Sequence, residues 1–159
     1  MKPSKSQQAD RILSFLTSLN PDFELPPGVE IMNPYTDRES FRYVETFYRK
    51  YYSDDQPRYF IFGINPGRHG GGITGIPFTD PVKLEKECGI ENPYLKKGEL
   101  SADFIYQMIR AFGGADKFYK RFFITAMSPL GFTRGGKNLN YYDDRQLCTN
   151  AEEFMTSTI

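Results

Sequence analysis

Apolar residues recur at every third or fourth position in three stretches of the chain, which is the spacing of an amphipathic helix. These predicted helices cover residues 4–19, 37–51 and 101–112. Pro21 follows the first as a stop, and glycines follow the third, where a helix commonly ends. Weaker helical patterns cover residues 82–88 and the sequence from residue 141 onward.

Two short runs break this period because their apolar residues are continuous. Residues 58–64 and 121–127 are rich in β-branched and aromatic side chains, which predicts two buried strands. Residues 23–35 hold too many prolines and glycines for a regular element. The order helix, strand, loop, helix, strand is that of an α/β sandwich around a parallel sheet.

The end of the chain does not complete this architecture. Two strands make a small sheet for four helices, and the sequence stops at Ile159 without a glycine cap or a proline stop. We therefore expect residues 1–159 to form one domain that is truncated relative to the natural protein.

Composition narrows the class of protein. The chain has 159 residues, 14 Phe and 11 Tyr, enough apolar surface for one folded domain. No apolar run approaches the roughly 18 residues of a membrane span, and the N-terminus lacks the apolar stretch of a signal peptide, so we expect a cytoplasmic protein with no membrane partner. With only Cys88 and Cys148, a disulfide framework or a cysteine-based metal site is not expected.

Charge is balanced over the whole chain but not along it. The 20 Lys and Arg equal the 20 Asp and Glu, which argues against a dedicated nucleic-acid coat protein. Residues 58–137, however, hold 12 basic and 7 acidic side chains. This local excess fits contact with phosphates, and it equally fits an ordinary solvated surface.

The loop after the first predicted strand, residues 65–80, is rich in glycine and contains the spacing Gly70-x-Gly72-x-x-Gly75. That spacing occurs in dinucleotide-binding proteins, where it follows the strand directly and opens a helix. Here the glycines lie well past the strand and lead into Ile-Pro-Phe-Thr-Asp-Pro. We therefore predict no nucleotide cofactor.

Two residues of this loop are candidates for chemistry. Pro66 and Gly67 fix a turn directly after the strand, which holds the Asn65 side chain at the sheet edge, although an asparagine that only caps its own turn would look the same. Phe78 is either a hydrophobic anchor for the loop or an exposed face on which a flat ring stacks.

These residues belong to a longer set of motifs. Gly-Ile-Asn-Pro-Gly at 63–67 is followed by Thr-Gly-Ile-Pro-Phe at 74–78, Phe-Phe-Ile-Thr-Ala-Met-Ser-Pro-Leu at 122–130 and Gly-Lys-Asn-Leu at 136–139. In order and spacing this resembles the single-strand-selective monofunctional uracil-DNA glycosylases, in a bacterial branch of their superfamily. The resemblance implies a three-layer α/β/α sandwich with a four-stranded, mainly parallel sheet, of which this chain supplies the first two strands.

The resemblance also implies an activity, the hydrolysis of the bond between uracil and deoxyribose in single- or double-stranded DNA after the base has left the stack. It assigns Asn65 to the catalytic water and Phe78 to stacking on the flipped base. Backbone N–H groups around Ile64 would stabilise the departing base. Gly67 replaces a bulky residue of some relatives, which predicts tolerance of 5-modified uracils.

Two departures from the family pattern affect these expectations. Ala126 stands where the family commonly has an asparagine that reads the uracil edge, which leaves the hydroxyls of Thr125 and Ser128 as less discriminating substitutes. The C-terminal His-Pro motif is absent, so the chain as given is expected to be impaired. His69, the only histidine, is either a substitute that leans into the pocket or a solvent-exposed loop residue.

Binding to DNA itself is predicted for the two basic loops. Arg68 and the segment Gly136, Lys137 and Asn138 could contact phosphates through side chains and backbone N–H groups, although the same segment would serve as a plain turn. Two rival functions remain at this stage, a DNA-binding module without catalysis and a small-molecule enzyme with a phosphate in the glycine loop. No metal is expected, and the oligomeric state stays open.

Overall fold

The computed structural model of the protein describes residues 7–159. The helices are α1 (Gln8–Ser18), α2 (Arg38–Tyr52), α3 (Gly71–Thr74), α4 (Pro81–Lys86), α5 (Leu100–Phe112), α6 (Ala115–Tyr119), α7 (Arg145–Asn150) and α8 (Glu152–Ser157), with a 3-10 turn at Tyr141–Asp143. The strands are β1 (Val29–Met32), β2 (Tyr59–Gly63), β3 (Phe122–Ala126), β4 (Gly131–Arg134) and β5 (Lys137–Leu139).

The strands form two sheets. β2 and β3 are parallel, with Gly63 opposite Ala126, as expected for two strands separated by helices. β1, β4 and β5 form an antiparallel sheet in the order β1-β4-β5, which the sequence analysis missed. The expectation of a mainly parallel sheet therefore holds only for the β2–β3 pair.

The sequence fails to predict these strands because they are short. β1 and β5 are four and three residues long, too short to show an alternating pattern. The stretch assigned to a loop between β4 and β5 is a hairpin whose turn residues Gly135 and Gly136 both have positive φ, at 56° and 70°. That conformation is the one that two-residue hairpin turns require, and glycine adopts it without strain.

Side-chain caps set several of the helix ends. Asp37 accepts a hydrogen bond from the Ser40 N–H at 2.7 Å at the start of α2, and Asp80 does the same for Lys83 at the start of α4. The first helix begins at Gln8, and residues 4–6 of its predicted range lie outside the described part. Helix α5 begins at Leu100 with Glu99 at its N-cap, not at Ser101 as predicted.

The core is mainly aromatic and lies around α2. Phe47 is buried, and its ring meets those of Tyr48, Tyr51 and Tyr119 with centroids 5.0–5.3 Å apart. Such edge-on pairs add to the apolar area that they bury. The hydroxyl of Tyr52 donates to the Phe122 carbonyl at 3.1 Å, which ties α2 to the start of β3.

Strand β2 is not buried, contrary to the prediction. Tyr59 and Phe60 are 66% and 58% exposed, and Phe62 is exposed as well. Within the described residues β2 pairs only with β3, so its second edge carries no strand. A continuous apolar run predicts a strand covered on both faces, and here that cover is incomplete.

Candidate functional site

The candidate site lies where the parallel strands end. Because Gly63 and Ala126 are paired, the loops that follow them leave the sheet side by side, and the Met127 and Ser128 N–H groups donate to the Gly63 and Ile64 carbonyls at 3.0 Å. Ligands of parallel α/β sheets bind at this edge. A cavity of about 420 Å³ opens there, within the range of about 300–1,000 Å³ typical of small-molecule sites. Its lining residues are Phe62, Gly63, Ile64, Asn65, Pro66, Gly67, Pro77, Phe78, Glu99, Ser101, Ala126, Asn138 and Asn140.

Asn65 is held at both ends of its amide by the end of β5 and the residues that follow it. Its Nδ2 donates to the Leu139 carbonyl at 3.2 Å, and its Oδ1 accepts from the Tyr141 N–H at 3.0 Å. The contact of Nδ2 with the adjacent Pro66 carbonyl is longer, at 3.4 Å. Asn65 therefore joins two distant segments instead of only capping its own turn. Its Oδ1 keeps a second lone pair with which it can accept a hydrogen bond from water.

Phe78 has a strained backbone. Its φ is +53°, and among the described residues it is the only non-glycine residue with a positive φ. This conformation typically costs of order 1–3 kcal/mol and occurs preferentially at functional sites. The ring lies over Gly63, so close that a Cβ added there would be 2.7 Å from the ring edge. The absence of a side chain at Gly63 thus makes room for a flat ring in the cavity wall.

The predicted base-binding residues at the end of β3 do not all line the site cavity. Ala126 lines the site cavity and also a neighbouring, mainly apolar cavity of about 290 Å³ next to α1, whereas Thr125 lines only the second of these. Ser128 is fully buried, and its hydroxyl donates to the Leu130 carbonyl at 2.8 Å. Neither hydroxyl faces the site cavity, so the wall beside Ala126 is apolar there.

Three of the four predicted DNA-binding residues, Arg68, Gly136 and Asn138, contact one another at the rim. The Arg68 N–H donates to Oδ1 of Asn138 at 2.8 Å, and the Arg68 guanidinium donates to the Gly136 carbonyl. These bonds hold the glycine loop against the β4–β5 hairpin. Of this group only Asn138 lines the cavity, and Lys137 extends from the exposed hairpin into solvent.

His69 does not line the cavity. It is half-buried, and its Nε2 is buried without a hydrogen-bond partner among the described residues. Burial, followed by the nearby Lys97 and Arg68, lowers the pKa of His69. A lowered pKa favours the neutral form of the imidazole at pH 7.

Sequence reasoning missed Glu99. It is the one ionisable side chain among the described residues that line the cavity. Burial raises its pKa, whereas a hydrogen bond from the His69 N–H lowers it. Its place beside residues 67–70 arises from the tertiary fold, and no local pattern in the sequence indicates it.

Two features are absent from residues 7–159. No group of three or more His, Cys, Asp or Glu is arranged there to hold a metal ion. No helix in that range is both long and apolar enough to cross a bilayer.

The fold is that of an α/β protein with a cavity at the carboxyl ends of two parallel strands. Residues 49–154 match the family model described as the Uracil DNA glycosylase superfamily. The match spans more than half of the chain, and the protein therefore belongs to this superfamily of DNA glycosylases.

One solved structure extends this comparison to nearly the whole chain. The crystal structure of wild-type Pedobacter heparinus SMUG2 is 48% identical and superposes with a TM-score of 0.90. The alignment covers 96% of this chain and 68% of that one, so about a third of the Pedobacter protein has no counterpart here. The fold is thus the glycosylase fold of that protein, and DNA is the partner that family membership supports. Among curated proteins no match was found.

Proposed function

We propose that the protein is a DNA glycosylase that hydrolyses the N-glycosidic bond of uracil in DNA and leaves an abasic site. The observation that carries this proposal is the placement of a doubly anchored Asn65 amide and a strained Phe78 ring in the same cavity. Superfamily membership and the 48% identity to an SMUG2 protein support it. The proposal includes a three-layer α/β/α architecture for the domain and a cytoplasmic location.

The cavity suits a base that has been rotated out of the stack. Extrusion typically costs a few kcal/mol in a duplex and less in a single strand, so both forms of DNA are proposed substrates. The Phe78 ring offers a flat face for stacking, which is worth about 1–3 kcal/mol per base. The apolar wall at Ala126 offers the base no side-chain amide. Recognition of the uracil edge therefore depends on backbone groups and on the residues across the cavity from Ala126.

Asn65 sets the order of bond changes. An amide can orient a water through Oδ1 but does not take its proton at pH 7. The C1′–N1 bond therefore breaks first, its electron pair leaves with the base, and an oxocarbenium-like sugar remains. The positioned water then bonds to C1′, and its proton passes to the departed base or to solvent. Backbone N–H groups around Ile64 are the proposed donors to the developing uracil anion.

Binding without catalysis is the second candidate because no histidine lines the cavity among the described residues. Incubation with single-stranded and duplex oligonucleotides that carry one uracil separates the two. A glycosylase releases free uracil and leaves alkali-labile sites. A binding module retains the same oligonucleotides with every uracil intact.

The proposed substrate range includes 5-substituted uracils. The same assay with 5-hydroxymethyluracil tests it, because both lesions present the same base edge. Excision of both bases is expected. Excision of uracil with none of 5-hydroxymethyluracil refutes this part of the proposal and leaves the glycosylase activity standing.

A further inference from the structure

Glu99 lines the cavity, although its position at the start of a helix would be equally compatible with a side chain that only caps that helix. It is the N-cap of α5, yet its side chain makes no capping hydrogen bond with that helix. Its backbone is fixed instead, because its N–H donates at 3.0 Å to Oδ2 of Asp80. Asp80 is fully buried and also caps α4. The backbone of Glu99 is thereby fixed on Asp80, and its carboxylate points away from α5.

The side chain ends against the turn formed by residues 67–70. A Cβ on Gly67 would overlap Oε1 of Glu99, and a Cβ on Gly70 would overlap Oε2. The same carboxylate lies beside the His69 N–H, and Ser101 Oγ lies 3.5 Å from Oε2. The turn is closed by the Gly70 and Gly72 N–H groups, which donate to the Gly67 carbonyl at 3.2 and 2.9 Å. Gly67, Gly70 and the His69 N–H thus surround the carboxylate of Glu99.

The turn begins two residues after Asn65. Pro66 is buried between them, so a shift of the turn is transmitted to the Asn65 backbone. The opposite side of the turn is held by the Arg68 N–H on Asn138. Glu99 and the β4–β5 hairpin therefore clamp the same short segment from two sides.

We propose that Glu99 is a positioning residue for the glycosylase reaction, whose ionised carboxylate holds the 67–70 turn and through it the Asn65 amide. This inference rests on the proposed function, since it names how the site of that function is held. Glu99 acts through the turn, and no proton or bond of the substrate is assigned to it.

The charges around Glu99 predict how the clamp responds to pH. Asp80 faces it from the start of α4, His69 from the turn, and Ser101 from α5, while Lys97 and Arg68 lie next to His69. Burial is the largest effect and raises the pKa of Glu99 above the ordinary glutamate value, Asp80 acts in the same direction, and the His69 N–H opposes both. A raised pKa means that the carboxylate takes up its proton at a higher pH than a free glutamate. Excision should therefore fall on the acid side, beginning above the usual glutamate range.

The first test compares Glu99→Ala, Glu99→Gln and the control Glu91→Gln, which removes a charge from an exposed residue. Uracil release is measured in single turnover at saturating single-stranded DNA. We expect Glu99→Ala to lower the rate about 10- to 100-fold, with the Kd for DNA unchanged, because misplacement of a reacting group reduces the rate steeply. Glu99→Gln should restore part of the rate and lose the acid-side decline. Equal rates for Glu99→Ala and wild type overturn the proposal.

A second measurement does not depend on activity. Hydrogen exchange of the His69 and Gly70 amides reports whether the turn is held, and thermal unfolding reports whether the fold survives. We expect faster exchange at these two amides in Glu99→Ala, with Tm close to that of wild type. Unchanged exchange in Glu99→Ala overturns the role of Glu99 even if that variant excises uracil more slowly than wild type. A wild-type chain that releases no base, but shows the exchange difference, refutes the proposed function and keeps the clamp.

Discussion

At the scale of single residues, the strained backbone of Phe78 sets the shape of the site. An aromatic residue at φ +53° is held there by its surroundings, and the Thr74 hydroxyl donates to the Thr79 carbonyl at 2.6 Å within the same loop. Gly63 completes the arrangement because only a residue without a Cβ leaves room for the ring. The flat face offered to a base thus depends on two residues 15 positions apart in the sequence.

This contact predicts the effect of Gly63→Ala. The new Cβ would lie 2.7 Å from the Phe78 ring, so the ring must move and its stacking on a base is lost. Stacking is worth about 1–3 kcal/mol, and we expect uracil excision to fall at least about tenfold. Single-turnover excision measures this loss.

The matched control is Gly98→Ala, whose Cβ would lie 3.9 Å from its nearest neighbour outside the adjacent residues, Asp80. That substitution should leave excision within about twofold of wild type, since no atom needs to move. Equal activity of Gly63→Ala and wild type would contradict the stacking role of Phe78.

At the scale of elements, the β4–β5 hairpin combines two functions. Its inner side fixes Asn65 and Arg68, and its exposed tip carries Lys137. A cation on such a tip can reach a phosphate, and each phosphate contact contributes to the salt dependence of binding.

Lys137→Ala should therefore weaken DNA binding to the same degree for all sequences. The slope of log K against log salt should decrease in magnitude by about 1, as for the loss of one phosphate contact. The control is Lys86→Ala, an exposed lysine at the end of α4. Titrations of a fluorescent oligonucleotide at several salt concentrations measure both variants. Identical slopes for Lys137→Ala and Lys86→Ala would show that the β4–β5 hairpin does not contact the DNA backbone.

Helix α2 supplies the aromatic side chains at the centre of the core. Phe47 is 2% exposed, and Phe47→Ala should lower the free energy of unfolding by about 3–5 kcal/mol because it leaves a cavity among aromatic rings. Phe104→Ala is the control, since Phe104 is 69% exposed on α5. Urea unfolding distinguishes them, and a similar midpoint for both would mean that the aromatic cluster around α2 is not the core.

The same elements show what the sequence reveals and what it does not. β2 and β3 are predictable because continuous apolar runs identify them, and α2 because its aromatic face repeats over 15 residues. β1 escapes prediction because its four residues show no period, and the exposure of Phe60 escapes because burial depends on neighbours in space. At the site, Asn65 and Phe78 are indicated by motif, whereas Glu99 reaches the cavity only through contacts with residues distant in the sequence.

Across the surface of the molecule, β2 presents a group of exposed aromatic side chains. Tyr59 and Phe60 are exposed beside an edge without a paired strand in the described range. Exposed apolar edges promote association between chains. Phe60→Lys should therefore reduce concentration-dependent association of the 159-residue chain.

Sedimentation velocity over a range of concentrations tests this. The control is Leu95→Lys, because Leu95 is 81% exposed but lies outside any strand. We expect Phe60→Lys to remain smaller in apparent mass than both wild type and the control. Association that is the same in all three proteins would show that the β2 face is not responsible.

In the proposed reaction the Asn65 amide directs hydrolysis of the glycosidic bond. The most direct measurement is single-turnover release of uracil from a single-stranded oligonucleotide by wild type, Asn65→Ala and Asn150→Ala. Asn150 is a distant amide that donates to the Glu24 carbonyl. We predict release by wild type and by Asn150→Ala, and a loss of about 100-fold in Asn65→Ala with DNA binding retained. Equal release by Asn65→Ala and wild type, or binding by wild type with no release, would contradict the account.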